Sequence, residues 1–196
     1  MQLFLIRHPR PLIDAGICYG QLDVEAEPPQ ALAARLRPLL PAGTPVLASP
    51  LRRTRALAQA LHPRPLFDRR LMEIDFGQWE GQRWEQIGRQ SLDAWATDLL
   101  HFVPPGGESA AMLQGRVVDC VAGLRGPRVA LVTHAGVIRC AIGHWLQLPV
   151  GEWSQLALDF GSITLLEVES PATRQQTGRQ WPTGATLPGT VHYCNR

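Results

Sequence analysis

Two histidines sit where short apolar runs end. His8 follows Leu3–Ile6 and Arg7, and His134 follows Arg128–Val132 and Thr133. Each run reads as a strand covered on both faces. In open α/β sheets ligands gather where strands end at their carboxyl edges. Arg7 immediately precedes the first histidine, and Arg53 lies on a helix expected behind a third short run, Val46–Ala48. Two imidazoles and two guanidiniums at one edge would suit a phosphoryl dianion. Guanidinium forks neutralise and orient its oxygens. A neutral imidazole can attack phosphorus and divide one hard displacement into two. The leaving alkoxide then needs an acid, and the loop from Glu73 to Glu80 offers carboxylates. Taken singly, these residues have plainer readings: a strand-end histidine is more often a hydrogen-bonded structural residue, and Arg52, Arg53 and Arg55 fit a solvated helix face.

The elements that must position them alternate. Leu32, Leu36, Leu39 and Leu40 recur at helical spacing until Pro41–Gly43. Ser49-Pro50 reads as an N-cap followed by proline at the first helical position, with the helix running to about Leu61. Leu71–Gly81 is loop-like, and Trp84–Leu100 returns to helical spacing before Pro104–Gly107 breaks the chain. Leu113, Val117, Cys120, Val121 and Leu124 mark another helix, with Ser109 placed to cap it and Glu108 to complement its dipole. Val137–Leu146 is a helix behind the second strand, and Leu156–Leu158 and Ile163–Val168 read as two closing strands. Strands interleaved with helices imply an α/β fold with a largely parallel sheet. Residues 1–169 form one domain on this reading. Residues 170–196, which lack Asp and Glu, read as a loosely packed tail that Trp181 and Tyr193 could dock onto the core.

The 196 residues are 45% hydrophobic and 18% charged, with a net charge of +2. This excludes a disordered chain and argues against a dedicated nucleic-acid or membrane-surface protein. No apolar run approaches the roughly 18 residues of a membrane span, and no signal peptide is evident, so a cytoplasmic protein is expected. Cys18, Cys120, Cys140 and Cys194 lack CxxC spacing and are read as buried reduced thiols. His62, His101, His144 and His192 have no spacing partner for a metal site.

Leu5-Ile6-Arg7-His8 resembles the Arg-His opening of the histidine phosphatase (phosphoglycerate mutase-like) superfamily. Ser49-Pro50-Leu51-Arg52-Arg53 resembles its second arginine motif, Leu71–Gly81 its acid-bearing loop, and Thr133-His134-Ala135-Gly136 its second-histidine motif. The resemblance implies a three-layer α/β/α fold with a mostly parallel central sheet. It also implies a metal-independent phosphomonoesterase without cofactor, acting through phosphohistidine. His8 would be the nucleophile, Arg7, Arg53 and His134 the phosphate pocket, and Glu73 the proton donor, with Glu80 a lesser candidate. Activity would then require a neutral His8 and a protonated Glu73. Within the superfamily, the acid loop, together with Trp95, Pro104–Ser109 and Arg116, is similar to alpha-ribazole phosphatases of cobalamin nucleotide loop assembly. Arg10, Tyr19 and Gln21 would lie on the substrate side, and Trp79, Trp84 and Trp95 would offer either stacking surfaces or core packing. The implied partner is a small-molecule phosphomonoester, and a homodimer is compatible with it. A broad-specificity phosphatase, a mutase-type phosphotransferase and a non-catalytic binding module remain alternatives. Three positions depart from the pattern: Pro9 replaces the usual glycine, Asp14 stands where a phosphate-contacting Asn is usual, and Leu57 replaces Thr. An ionised Asp14 would repel phosphate, so a re-routed loop is expected, with Arg10 as a compensating cation.

Overall fold

The computed structural model describes residues 1–168 and 189–193. In chain order it contains β1 (Gln2–Arg7), α1 (Gln30–Leu36, continued by a 3₁₀ turn at Arg37–Leu39), β2 (Val46–Ala48) and α2 (Arg52–Leu61). Then come β3 (Leu66–Phe67), 3₁₀ turns at Arg69–Leu71, Gly77–Trp79 and Trp84–Gln86, α3 (Arg89–Thr97) and α4 (Ala110–Ala122). β4 (Arg128–Thr133), α5 (Ala135–Leu146), α6 (Val150–Trp153), β5 (Ile163–Val168) and β6 (Gly189–Tyr193) complete it.

The strands form one sheet in the order β3-β2-β4-β1-β5-β6. β3, β2, β4 and β1 are mutually parallel, and β5 runs antiparallel to β1 and β6. Side chains alternate across the sheet, as the two-residue strand period requires. Leu3, Leu5, Val129 and Leu131 face a core shared with α4 and α5, whereas Phe4, Ile6, Ala130 and Val132 face one shared with α1 and α2. The result is three layers, with both faces of the central strands covered.

Register positions the site. β1 and β4 pair from Gln2 opposite Arg128 to Arg7 opposite Thr133. The next residues, His8 and His134, therefore leave adjacent strands at the same level. The His8 N–H donates to the Thr133 carbonyl at 3.1 Å, and the Ser49 N–H to that of Val132 at 3.0 Å, so β2 delivers Ser49 to the same edge.

Several local expectations are corrected. α2 begins at Arg52 with Leu51 in the N-cap position, so Ser49 does not cap it; the Ser49 hydroxyl is instead held by His134. The helix expected over Trp84–Leu100 is confined to Arg89–Thr97, because extended backbone at Ile87 and Gly88 separates it from the preceding 3₁₀ turn. Leu156–Leu158 is not a strand: the Leu156 and Leu158 carbonyls accept from Arg139 and Arg7 rather than from a neighbouring strand. The stretch read as a tail supplies β6, where Thr190, Val191 and His192 favour extended backbone, Val191 packs against the core and His192 Nε2 meets Glu167 at 2.8 Å. The rest of that stretch, Trp181 included, lies outside the described residues. Cys18, Cys120 and Cys140 are free and buried, and among the described residues no helix is long and apolar enough to cross a membrane.

Candidate active site

His8 is 2% exposed. Its Nδ1 lies 2.6 Å from the carbonyl of Pro9. A carbonyl only accepts, so Nδ1 carries the proton and Nε2 keeps its lone pair. Proline at position 9 is compatible with this because the group used is the carbonyl, which proline retains, rather than the N–H it lacks. Burial, reinforced by Arg53, pushes the imidazole down to about 3, so it is neutral at ordinary pH.

His134 is fully buried, its ring centroid 5.2 Å from that of His8. Arg53 Nε donates to His134 Nδ1 at 3.3 Å, so Nε2 carries the hydrogen and donates to Ser49 Oγ at 2.8 Å. Burial, with Arg53 next, holds its basicity well below that of an ordinary histidine. Ser49 was missed as a site residue by sequence reasoning. The available signal was its position: it follows the third short apolar run, as His8 and His134 follow theirs.

On α2 the buried residues Arg53, Thr54, Leu57 and Ala58 form a single inward stripe, while Arg52 and Arg55 face solvent. Helical phase thus drives one arginine inward. Leu57, where threonine is usual, packs in the core. The Arg53 guanidinium is fully buried and donates to the carbonyls of Leu22 (2.9 Å) and Gly20 (2.5 Å). Gly20 is required there: a Cβ would come within 1.9 Å of the Ile74 carbonyl. Arg7 lies with its guanidinium carbon 3.7 Å from the Phe160 ring centroid, and its Nε is buried without a protein partner. Tyr19 shares the cavity wall with Arg7, and its ring centroid lies 5.5 Å from the Arg53 guanidinium carbon.

Glu73 accepts the Ile74 N–H through Oε1 and the Gly136 N–H through Oε2, both at 3.0 Å. Gly136 lies in the first turn of α5, so the carboxylate sits at that helix's amino end. A Cβ on Gly136 would lie 2.2 Å from Glu73 Oε1. Glu80, by contrast, accepts the N–H groups of Gln21 (2.7 Å), Leu22 and Phe76 (3.0 Å), tying the Tyr19–Asp23 loop to the acid loop.

One cavity of about 330 Å³ is lined by Arg7, His8, Tyr19 and Glu73, whereas Arg53 and His134, expected in the phosphate pocket, are not on its wall. Ile74, Phe76, Trp95, Leu99, Leu113 and Trp153 supply an apolar remainder, with Arg139 also on the wall. Two expected substrate-side residues stand elsewhere. Arg10 has a largely exposed side chain 4.0 Å from Glu27, its guanidinium carbon 5.2 Å from the Phe160 centroid. Gln21 turns its amide onto the Glu73 carbonyl at 3.2 Å. Asp14 points into solvent toward Arg83, 3.8 Å away. Trp79 is buried against Phe102, and Trp84 stacks on Trp95, which alone of these three tryptophans reaches the cavity. Trp153 and Arg139 were not anticipated, although Arg139 follows Gly136 by the three residues that place both on one face of α5.

Residues 3–177 match the family described as Histidine phosphatase superfamily (branch 1). The chain is 30% identical over 122 residues to a 6-phosphofructo-2-kinase/fructose-2,6-bisphosphatase of Caenorhabditis elegans, covering 58% of this chain and 27% of that one. Among solved structures, mycobacterial glucosyl-3-phosphoglycerate phosphatase superposes with a TM-score of 0.77 at 26% identity, covering 99% of this chain and 98% of the other. A phosphoglycerate mutase from Thermus thermophilus gives 0.70 at 32% identity, covering 84% and 92%. The chain spans less than half the length of the curated relatives it matches.

Proposed function

The chain belongs to the histidine phosphatase superfamily, and from that membership we propose that it is a metal-independent phosphomonoesterase that works through a phosphohistidine at His8. The observation that carries the reading is that His8, Arg7 and Glu73 line a single cavity, with His134 packed against His8 and Arg53 bonded to His134.

In the first step the Nε2 lone pair of His8 attacks phosphorus and the bond to the leaving oxygen breaks. Glu73 gives its proton to that oxygen, so an alcohol departs rather than an alkoxide. Arg7, on the cavity wall, carries fixed positive charge beside the transferring oxygens, and Arg53, buried behind His8 and His134, adds its charge from outside the cavity in a desolvated setting. In the second step water attacks the phosphohistidine and gives a proton to the Glu73 carboxylate. The P–N bond breaks, its electron pair returns to Nε2, and inorganic phosphate leaves.

The apolar remainder of the cavity favours an ester whose alcohol carries an aromatic or apolar body. With the resemblance of the acid loop, this makes alpha-ribazole 5′-phosphate, in a cytoplasmic setting, the substrate of the proposal. The similarity to a structure named phosphoglycerate mutase favours, as second reading, phosphotransfer between hydroxyls. Purified protein in EDTA should release phosphate from a panel of monoesters, with alpha-ribazole 5′-phosphate ranked first by kcat/KM over sugar phosphates and phosphoglycerates. A sugar phosphate ranked first would overturn the substrate, and isomerisation of phosphoglycerate without phosphate release would favour the second reading. His8→Ala should lose turnover by orders of magnitude; retained turnover would remove His8 as nucleophile.

A further inference from the structure

Behind the acid loop lies an ion pair that the chemistry above does not use. Arg116, on α4, and Glu108, just before its N-cap, are joined by two bonds, Nε to Oε2 at 3.1 Å and Nη2 to Oε1 at 2.5 Å. Both side chains are largely buried. Arg116 also donates Nη1 to the carbonyls of Arg70 (2.7 Å) and Met72 (2.6 Å), and Nη2 to the carbonyl of Glu73 (2.9 Å). Glu108 Oε1 accepts the Asp75 N–H at 3.0 Å, and the Glu108 N–H donates to the Asp75 carbonyl at 2.9 Å. The backbone on either side of Glu73 is therefore gripped from residue 70 to residue 75 by one guanidinium–carboxylate unit.

The chemistry of the grip is specific. A guanidinium presents five donors in a planar fork, and here one fork spans a carboxylate and three carbonyls, which an ammonium cannot do. The loop between the 3₁₀ turns at Arg69–Leu71 and Gly77–Trp79 has no regular secondary structure to fix it. Without such a grip, the Glu73 carboxyl would be held only by the Ile74 and Gly136 N–H groups. General-acid catalysis depends on the acid lying within hydrogen-bond reach of the leaving oxygen.

We propose that Arg116 and Glu108 are positioning residues for the proton donor, fixing the backbone from which Glu73 reaches the leaving group. The proposal rests on the reading of Glu73 as the general acid, and its test separates the two. An aryl ester such as 4-nitrophenyl phosphate expels a stable phenolate and needs little protonation, whereas an alkyl ester such as alpha-ribazole 5′-phosphate or ribose 5-phosphate must be protonated to leave. A defect confined to the acid lowers kcat/KM for alkyl esters selectively; a general loss of structure lowers both alike.

The experiment measures kcat/KM for both ester classes in Glu73→Gln, Glu108→Gln, Arg116→Lys and Arg116→Gln, with thermal melts as a check on folding. Glu73→Gln should lose alkyl-ester kcat/KM by about 100-fold or more, the usual range for a general acid, and aryl-ester kcat/KM much less. Glu108→Gln and Arg116→Lys should each show the same selectivity at smaller size, about tenfold on the alkyl ester, because the loop is loosened while the carboxyl remains. Arg116→Gln should exceed Arg116→Lys. If Arg116→Gln does not fold, the isosteric Glu108→Gln decides. Equal losses on both esters in Glu108→Gln and Arg116→Lys, or no loss on either, would overturn the positioning role while leaving Glu73 in place. Equal losses in Glu73→Gln would overturn the reading of Glu73 and the positioning role with it.

Discussion

At the scale of single residues, the chemistry depends on where two protons sit. His8 keeps its Nε2 lone pair because Nδ1 is committed to the Pro9 carbonyl. His134 is held in the opposite tautomer by Arg53 on one nitrogen and Ser49 on the other. Ser49→Ala removes the acceptor of a buried imidazole N–H. A buried donor left unsatisfied costs about 1–3 kcal/mol, so unfolding in urea should show a loss of that size together with reduced turnover as the His134 ring loses its restraint. A change below about 0.5 kcal/mol would mean that the ring finds another partner. That His8, Arg7, Arg53, Glu73 and His134 come together was expected from strand-end position for the histidines and from motif resemblance for the rest, because both can be read along a chain. The His134 tautomer was not: it depends on partners such as Ser49, 85 residues away.

At the scale of elements, the same substitution has opposite consequences on two helices. Gly136, in the first turn of α5, lies against the Glu73 carboxyl, and a Cβ there would lie 2.2 Å from Oε1. Gly115, on the exposed side of α4, has nothing within 4 Å of an added Cβ. Gly115→Ala should raise stability by about 0.5–1 kcal/mol through helix propensity alone, with activity unchanged. Gly136→Ala should displace Glu73 and lower turnover by about tenfold or more, as misplacement of a catalytic group by a fraction of an ångström to an ångström does. Full activity in Gly136→Ala would show that Glu73 has room to move. Arg53 was singled out from its neighbours by the resemblance of Ser49–Arg53 to a known motif, and helical phase in the folded chain is what turns it inward while Arg52 and Arg55 face solvent. The strand expected at Leu156–Leu158 failed because arginine side chains take the carbonyls that a ladder would need, a competition invisible to hydrophobic pattern.

At the scale of the whole molecule, placing neutral imidazoles in the interior links stability to pH. The folded state holds His8 at about 3 against an ordinary 6.5. Between those values the unfolded chain binds more protons, so stability rises with pH. Its contribution is complete above about 6.5 and is lost as pH falls toward 3. For His8 alone the loss is on the order of 2 kcal/mol by pH 5, and His134, shifted the same way, adds to it. Melting temperature should therefore fall steadily from pH 7 to pH 4, and His8→Asn should flatten the slope; an unchanged slope in that variant would show that His8 is already protonated in the folded protein. By itself the sequence determined the layered α/β fold, the strand ends at which His8 and His134 stand and the family to which the chain belongs, because hydrophobic period and motif order are local properties. Tertiary structure alone decided that Arg10 and Gln21 stand off the cavity while Trp153 and Arg139 line it, and that β6 closes the sheet edge. It also decided that Arg116 and Glu108 grip the acid loop. Each of these is a distance between segments far apart in the chain, set by packing and by competition for hydrogen bonds.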